Sequence, residues 1–309
     1  MLTTKIISCS HCKIPNRIIP YLTSAVCKNC GKSFDILDPF IGDEIGEYTI
    51  QKKLGHGKAG NVYLGISRIS QKKVAIKSLN PVFSTTEQWV KRFFFESDVL
   101  DRLLHPNIVC GFGIIEKNQK FFLVQEYVDG MSLEEYHASM HYLIPWEKLA
   151  PILKKIVLAL DYAHSQQIIH RDIKPSNVML DRAYEPKLTD FGISKSLDQP
   201  SSMDLTEKGH TVGTPAFMAP EICSGSAFLP RSDIYSLGVM TYFLLSGKKP
   251  IDGNSIKEVL MNQILQEPKP LKEIIPVSEA ISQWVMKMMA KNPENRYQTM
   301  ADVLTAMPS

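Results

Sequence analysis

His170-Arg171-Asp172-Ile173-Lys174-Pro175-Ser176-Asn177 decides how the rest of this chain is read. Within eight residues it offers a carboxylate, an ammonium group and an amide, the groups needed to take a proton and neutralise a phosphate. Downstream, Asp190-Phe191-Gly192 adds a second acid; with Asn177 it supplies the oxygen ligands that Mg²⁺ prefers. Upstream, Val74-Ala75-Ile76-Lys77 ends an apolar strand on a charge that needs a partner. Before it, Gly55-His56-Gly57-Lys58-Ala59-Gly60-Asn61-Val62 is a glycine-rich turn whose backbone N–H groups can approach phosphate. A lone Gly-x-Gly-x-x-Gly recurs in unrelated loops. All four strings in this order are hard to reach by chance.

In that order the strings resemble the protein kinase superfamily, over roughly residues 47–307. Lys174 and Gly213-Thr214-Pro215-Ala216-Phe217-Met218-Ala219-Pro220-Glu221 resemble its Ser/Thr branch, and the overall look is that of the compact bacterial, eukaryotic-like members. The resemblance implies an α+β fold with two lobes, a β-rich small lobe (47–128) and a helical large lobe (129–307). It implies ATP and protein substrates, with Mg²⁺ or Mn²⁺ as cofactor. Asp172 would be the base and Lys174 its companion at the γ-phosphate. Lys77 would contact the α- and β-phosphates and pair with Glu96. Gly55, His56, Gly57, Lys58, Ala59, Gly60 and Asn61 would lie over the nucleotide, and Val62 would pack on its base. Leu54, Ala75 and Met179 complete the nucleotide set. Backbone groups of Glu126 and Val128 would hold the adenine edge, with Gln125 guarding the space behind. Asn177 and Asp190 would bind the magnesium. Glu221 should pair with Arg296, and Asp233 should brace the catalytic loop.

The hydrophobic pattern agrees. Strands are expected around Tyr48–Leu54, Val62–Leu64 and Lys73–Leu79, and again near Ile108–Ile115 and Lys120–Glu126. A helix is expected from about Thr85 to Leu104, with Phe93, Glu96 and Leu100 on one face. Leu149, Leu153, Ile156, Val157, Leu160 and Ala163 mark a long amphipathic helix. Further helices are expected near 231–245, 255–265, 278–290 and 299–306.

Residues 1–40 read as a separate module. Cys9-x-x-Cys12 and Cys27-x-x-Cys30 could form two disulfides or one metal site. An ATP-dependent enzyme works in the reducing cytoplasm, where disulfides are rare, so zinc is preferred. A Cys₄ shell closes a tetrahedral Zn²⁺ and is structural, and forty residues need such a staple to fold. Cys27-Lys28-Asn29-Cys30-Gly31-Lys32 resembles a zinc-ribbon knuckle, with Gly31 expected to relieve crowding around the sulfurs; His11 lies inside an already complete set. Residues 41–46 are expected to be a linker, carrying Gly and no periodicity.

The chain has 309 residues, 44% hydrophobic and 22% charged, and a formal charge of +3. Of 35 basic and 32 acidic side chains, five and two lie in residues 1–40, so the remainder is balanced. That argues against a nucleic-acid binder, the more so because four thiolates and one zinc subtract charge from the module. A protein regulator is the expected partner of the module. No run of roughly 20 apolar residues suggests a membrane span, no secretory signal is expected from the first ten residues, and a cytoplasmic location is expected. In the Ser- and Thr-rich loop between Gly192 and Gly213, Thr206 and Thr211 are candidate autophosphorylation sites. The competing class, a non-catalytic scaffold on the same fold, usually lacks one of Lys77, Glu96, Asp172, Asn177 and Asp190. All five are present.

Overall fold

The computed structural model describes residues 5–9, 11–18, 24–35, 40–56, 60–80, 87–191 and 215–309. They fall into two compact units, Met1–Thr85 with Ile114–Tyr127 and Thr86–Gly113 with Val128–Ser309.

The first unit opens with two short hairpins, β1 (Lys5–Ser8) with β2 (Pro15–Ile18), and β3 (Ser24–Val26) with β4 (Ser33–Asp35). A six-stranded sheet follows: β5 (Glu44–Ile45), β6 (Tyr48–His56), β7 (Asn61–Ser67), β8 (Lys73–Ser78), β9 (Gly111–Lys117) and β10 (Lys120–Glu126). Its spatial order is β5-β6-β7-β8-β10-β9. Directly opposed residues share a face of a sheet. The register therefore sorts two sets of side chains. Tyr63, Ile76 and Val124 lie in one row, with Val74 and Phe122 on the same face. They form a buried core with Ile45, Ile50 and Phe40. The opposite face carries Val62, Lys77 and Leu123 in one row and Leu64, Ala75 and Gln125 in the next.

Phe40 and residues 41–46 correct the expected linker. Phe40 is buried edge-on against Tyr63 (centroids 5.7 Å apart) and Phe122 (5.4 Å). Gly42 N–H donates to the Ile50 carbonyl, Ile50 N–H to that of Asp43, and Glu44–Ile45 pairs with β6. A two-residue strand is too short to show alternation, so composition alone suggested a loop.

The second unit begins with α1 (Glu87–Arg102), which the sequence assigned to the small lobe. Its C-terminal end is tied locally: Arg102 donates to the Gln166 carbonyl (3.1 Å), and Leu104 N–H donates to the Tyr162 hydroxyl (3.2 Å). After β11 (Gly130–Ser132) come α2 (Leu133–Ser139) and α3 (Trp146–Ser165). The stripe expected on α3 is buried from Leu149 to Ala163. β12 (Val178–Asp181) pairs with β11 and with β13 (Pro186–Leu188). The one-turn α4 (Pro220–Cys223) precedes α5 (Pro230–Ser246), which is buried on nearly every side. α6 (Ile256–Leu265), α7 (Glu279–Met288) and α8 (Met300–Thr305) complete the chain. Among the described residues no helix is long and apolar enough to cross a membrane.

Candidate active site

In the second unit, the loop between α3 and β12 holds the chemistry. Asp233, on α5, is 1% exposed and accepts the N–H groups of His170 and Arg171, both at 2.8 Å. His164, on α3, meets the same carboxylate at 2.8 Å through Nε2. Burial alone would raise the Asp233 carboxyl, but the His164 ring and the Arg171 N–H hold it below its ordinary value. Arg171 takes a left-handed backbone (φ 69°), turning the chain so that Asp172 follows a fixed base. His170 is fully buried against Phe191 (centroids 4.6 Å apart). Its Nε2 faces the Thr189 carbonyl at 3.1 Å, and its Nδ1 accepts from Asp172 N–H at 3.3 Å. That arrangement needs a neutral ring with its proton on Nε2. Burial lowers its pKa accordingly, against the opposing pull of Asp233, Asp172 and Asp190.

Asp172 Oδ2 is held by Lys174 Nζ (2.7 Å) and by the Asn177 amide nitrogen (2.9 Å), which also reaches the Asp172 carbonyl (2.9 Å). Both acceptors are oxygens, so the nitrogen of Asn177 must face them and its amide oxygen is the atom left for a cation. Thr189 N–H donates to the Asn177 carbonyl (3.0 Å), and Val178 pairs with Leu188, so the β12–β13 hairpin sets Asn177 beside the strand leading to Asp190. Asp190 sits at φ 52°. A carboxylate and an amide oxygen fit Mg²⁺ or Mn²⁺. Met179 lies on β12, and Val128 is buried at the start of the same unit's second segment.

Glu221 and Arg296 pair as expected. Nη1 and Nη2 meet the two carboxylate oxygens at 2.9 and 2.8 Å. Nε and the remaining protons go to the carbonyls of Ala290, Arg231 and Lys291, so all five guanidinium donors are used. Burial raises the Glu221 carboxyl, yet Arg296 holds it net below its usual range.

In the first unit, Val62, Ala75, Lys77 and Gln125 share one face of the sheet. Leu54, Gly55 and His56 end β6, and Glu126 ends β10. Gly60 is fixed by close approach: a Cβ there would stand 1.6 Å from the Ser78 carbonyl oxygen. Asn61 is clamped to Ser78 by two bonds of 3.3 Å. Ser78, which anchors the end of the glycine-rich turn to β8, went unread in the sequence. Lys77 lies in this unit and Glu96, buried on α1, in the other. Gly57, Lys58 and Ala59 of the turn lie outside the described residues, as do Gly192, Thr206, Thr211 and Thr214.

The four module cysteines converge. Their Sγ atoms lie within 4.8 Å of one another, with Cys9–Cys30 at 3.8 Å and Cys12–Cys27 at 3.6 Å; none is in a disulfide. Zn–S bonds of about 2.3 Å give a tetrahedron with edges of about 3.8 Å, so the cluster fits that ion. His11 is exposed and not needed. The two turns repeat one design: Lys13 N–H returns to the Cys9 carbonyl and Gly31 N–H to that of Cys27, both at 2.9 Å, at φ 60° and 69°. Gly31 therefore serves a left-handed backbone. Beyond its chain neighbours, a Cβ there would meet nothing within 4 Å. N–H groups of Cys30 and Asn29, with the Asn16 amide, lower the Cys27 thiol to about 6 despite its burial. Asn16 is the other residue missed. It is 6% exposed and donates to Cys27 Sγ (3.4 Å) and the Ile14 carbonyl (2.9 Å), while accepting from Lys28 N–H (3.0 Å).

Comparison with known proteins follows the same lines. Residues 48–306 match the protein kinase domain family. The chain is 36% identical over 265 residues to the serine/threonine-protein kinase PrkC of Bacillus subtilis, covering 85% of this chain and 40% of that protein. It is 32% identical over 283 residues to Pkn1 of Myxococcus xanthus, a serine/threonine-protein kinase, covering 90% and 40%. The chain thus spans about two fifths of the length of these relatives. Among solved structures, the Mycobacterium tuberculosis PknI kinase domain is similar at 27% identity and a TM-score of 0.68, covering 86% of this chain and 97% of that one.

Proposed function

This chain belongs to the protein kinase domain family, and from that premise we propose that it is an ATP-dependent protein serine/threonine kinase. It passes the γ-phosphate of ATP to Ser and Thr hydroxyls of proteins and phosphorylates its own activation loop, at Thr206 or Thr211. The observation that carries this reading is the set of contacts at Asp172. Lys174 and Asn177 lock the rotation of its carboxylate, and the buried Asp233 locks the loop beneath it. Phosphoryl transfer has a loose transition state, so positioning and charge neutralisation do most of the work. Asp172 orients the acceptor hydroxyl and takes its proton, a role worth roughly 10²–10⁴ in rate. The Lys174 ammonium balances charge at the transferred group, and Lys77 does so at the α- and β-phosphates. Asn177 and Asp190 would hold Mg²⁺ or Mn²⁺, which when bound neutralises phosphate charge.

The residues before Phe40 complete the reading as a zinc-ribbon-like module, a platform for a protein regulator. The sulfur spacing and the paired left-handed turns support it. A closed Cys₄ shell leaves no position for chemistry, so the ion is structural. Four thiols kept for a metal also favour the reducing cytoplasm.

The experiment is transfer of labelled γ-phosphate from ATP with Mg²⁺ to the full chain and a basic protein acceptor, beside Asp172→Asn. Label in wild type and at least a 100-fold loss in the variant is expected, with Thr206 or Thr211 carrying the self-label. Equal labelling of both proteins overturns the assignment.

A further inference from the structure

Gln263, on α6, is fully buried, and both ends of its side-chain amide are engaged. Its Nε2 donates to the Ala216 carbonyl at 2.8 Å and, at 3.5 Å, reaches that of Pro215; its Oε1 accepts from the Tyr235 hydroxyl at 2.7 Å. Tyr235 is buried on α5, and burial pushes its phenol well up, so it keeps the proton it donates. Lys291 Nζ stands at the far end, donating to the Tyr235 oxygen at 3.3 Å and to the Gln263 carbonyl at 2.7 Å. Ammonium, hydroxyl and amide thus donate in one direction along a chain, each bond polarising the next. That order fixes the amide with its nitrogen toward the turn Pro215–Phe217.

The segment held in this way stands beside the proposed base. Phe217, Met218 and Ala219 line a small cavity together with Asp172 and Ile173. A polypeptide that presents a hydroxyl to Asp172 therefore runs against this segment. Behind it, the Ser236 hydroxyl donates to the Phe217 carbonyl at 2.7 Å, and Gln263 takes the two carbonyls before that one. We propose that Gln263 is a positioning residue for the protein acceptor: through the carbonyls of Pro215 and Ala216 it sets the segment on which the acceptor chain docks beside Asp172. The proposal rests on the kinase reading given above. It concerns the acceptor and not the nucleotide, because the side-chain bonds of Gln263 end on this segment and on Tyr235.

The test is steady-state transfer of the γ-phosphate of ATP, with Mg²⁺, to a basic protein acceptor by the full chain. Wild type is compared with Gln263→Met, Tyr235→Phe and the double variant. Methionine keeps the volume and removes the amide; phenylalanine keeps the ring and removes the hydroxyl that orients it. In Gln263→Met the acceptor KM should rise about 10-fold, with kcat at saturating acceptor and the KM for ATP within about 2-fold of wild type. Tyr235→Phe should shift the acceptor KM in the same direction, and tests the same chain if the methionine variant does not fold. The double variant should lie close to Gln263→Met alone, because the two groups act as one unit. An unchanged acceptor KM, or losses that multiply in the double variant, overturns the proposal. A rise shared equally by the ATP KM makes Gln263 a general packing residue and overturns it too. Absence of transfer by wild type overturns the kinase reading, and the proposal with it.

Discussion

Asn16 ties the metal module together with one side chain: an amide proton on the Cys27 sulfur, another on the Ile14 carbonyl, and an oxygen under Lys28 N–H. It joins the strand leaving the first cysteine turn to the second turn. Groups of this kind orient the ligands of a metal, and their loss typically costs 10–100-fold in affinity. The full chain should hold one zinc, and Asn16→Leu should weaken it by that factor in competition with a chromophoric chelator. No zinc in wild type, or unchanged affinity in the variant, contradicts this. At this scale the sequence was legible where chemistry comes in strings: Asp172, Lys174, Asn177 and the four cysteines announce themselves by spacing. Asn16 and Ser78 do not. A single polar residue in a short strand has no pattern, and its role exists only through partners folded against it.

Elements were legible where they are long. The stripe on α3 and the helix expected near 231–245, α5, lie close to where the sequence pattern puts them. α2 was not singled out, though it carries a start signal: Ser132 caps Glu135 N–H, and the Glu135 side chain returns to Ser132 N–H. The segment joining module to sheet was misread because its decisive residue is one aromatic ring. Phe40 covers the face of the sheet opposite Ala75 and Gln125, with Lys120 Nζ 4.6 Å from its ring centre. Phe40→Ala should destabilise the first unit by about 3–5 kcal/mol, the cost of an emptied aromatic site. Urea denaturation followed by a probe in that sheet measures it. A change below about 1 kcal/mol would make Phe40 a surface residue after all.

For the molecule as a whole, buried titrating groups set the acid limit of stability. His170 is neutral and buried, its pKa below the ordinary 6.5. The unfolded chain binds a proton there while the native chain does not, so the contribution is complete above pH 6.5 and is lost as pH falls below it. Each such group costs up to about 1.4 kcal/mol per pH unit. Glu221 lies below its ordinary 4.5 and Asp233 below its 3.8. Their contribution is present above those values and is lost as pH falls through the lower native ones. From these three groups, unfolding free energy should decline as pH falls below about 6.5 and drop again below about 4.5. Urea titrations at intervals from pH 8 to 4 test this, and a curve flat to pH 5 excludes the His170 part. By itself the sequence determined the reactive groups, their order along the chain and the alternation of strands and helices. Those depend on neighbours a few residues apart, where spacing is geometry. Only the tertiary structure decided that Ser78 anchors the end of the glycine-rich turn, that Asn16 joins the two cysteine turns, and that Phe40 belongs to the sheet. Each of these joins residues distant in sequence, and such contacts are selected by packing and by the need to satisfy buried polar groups, which no local pattern records.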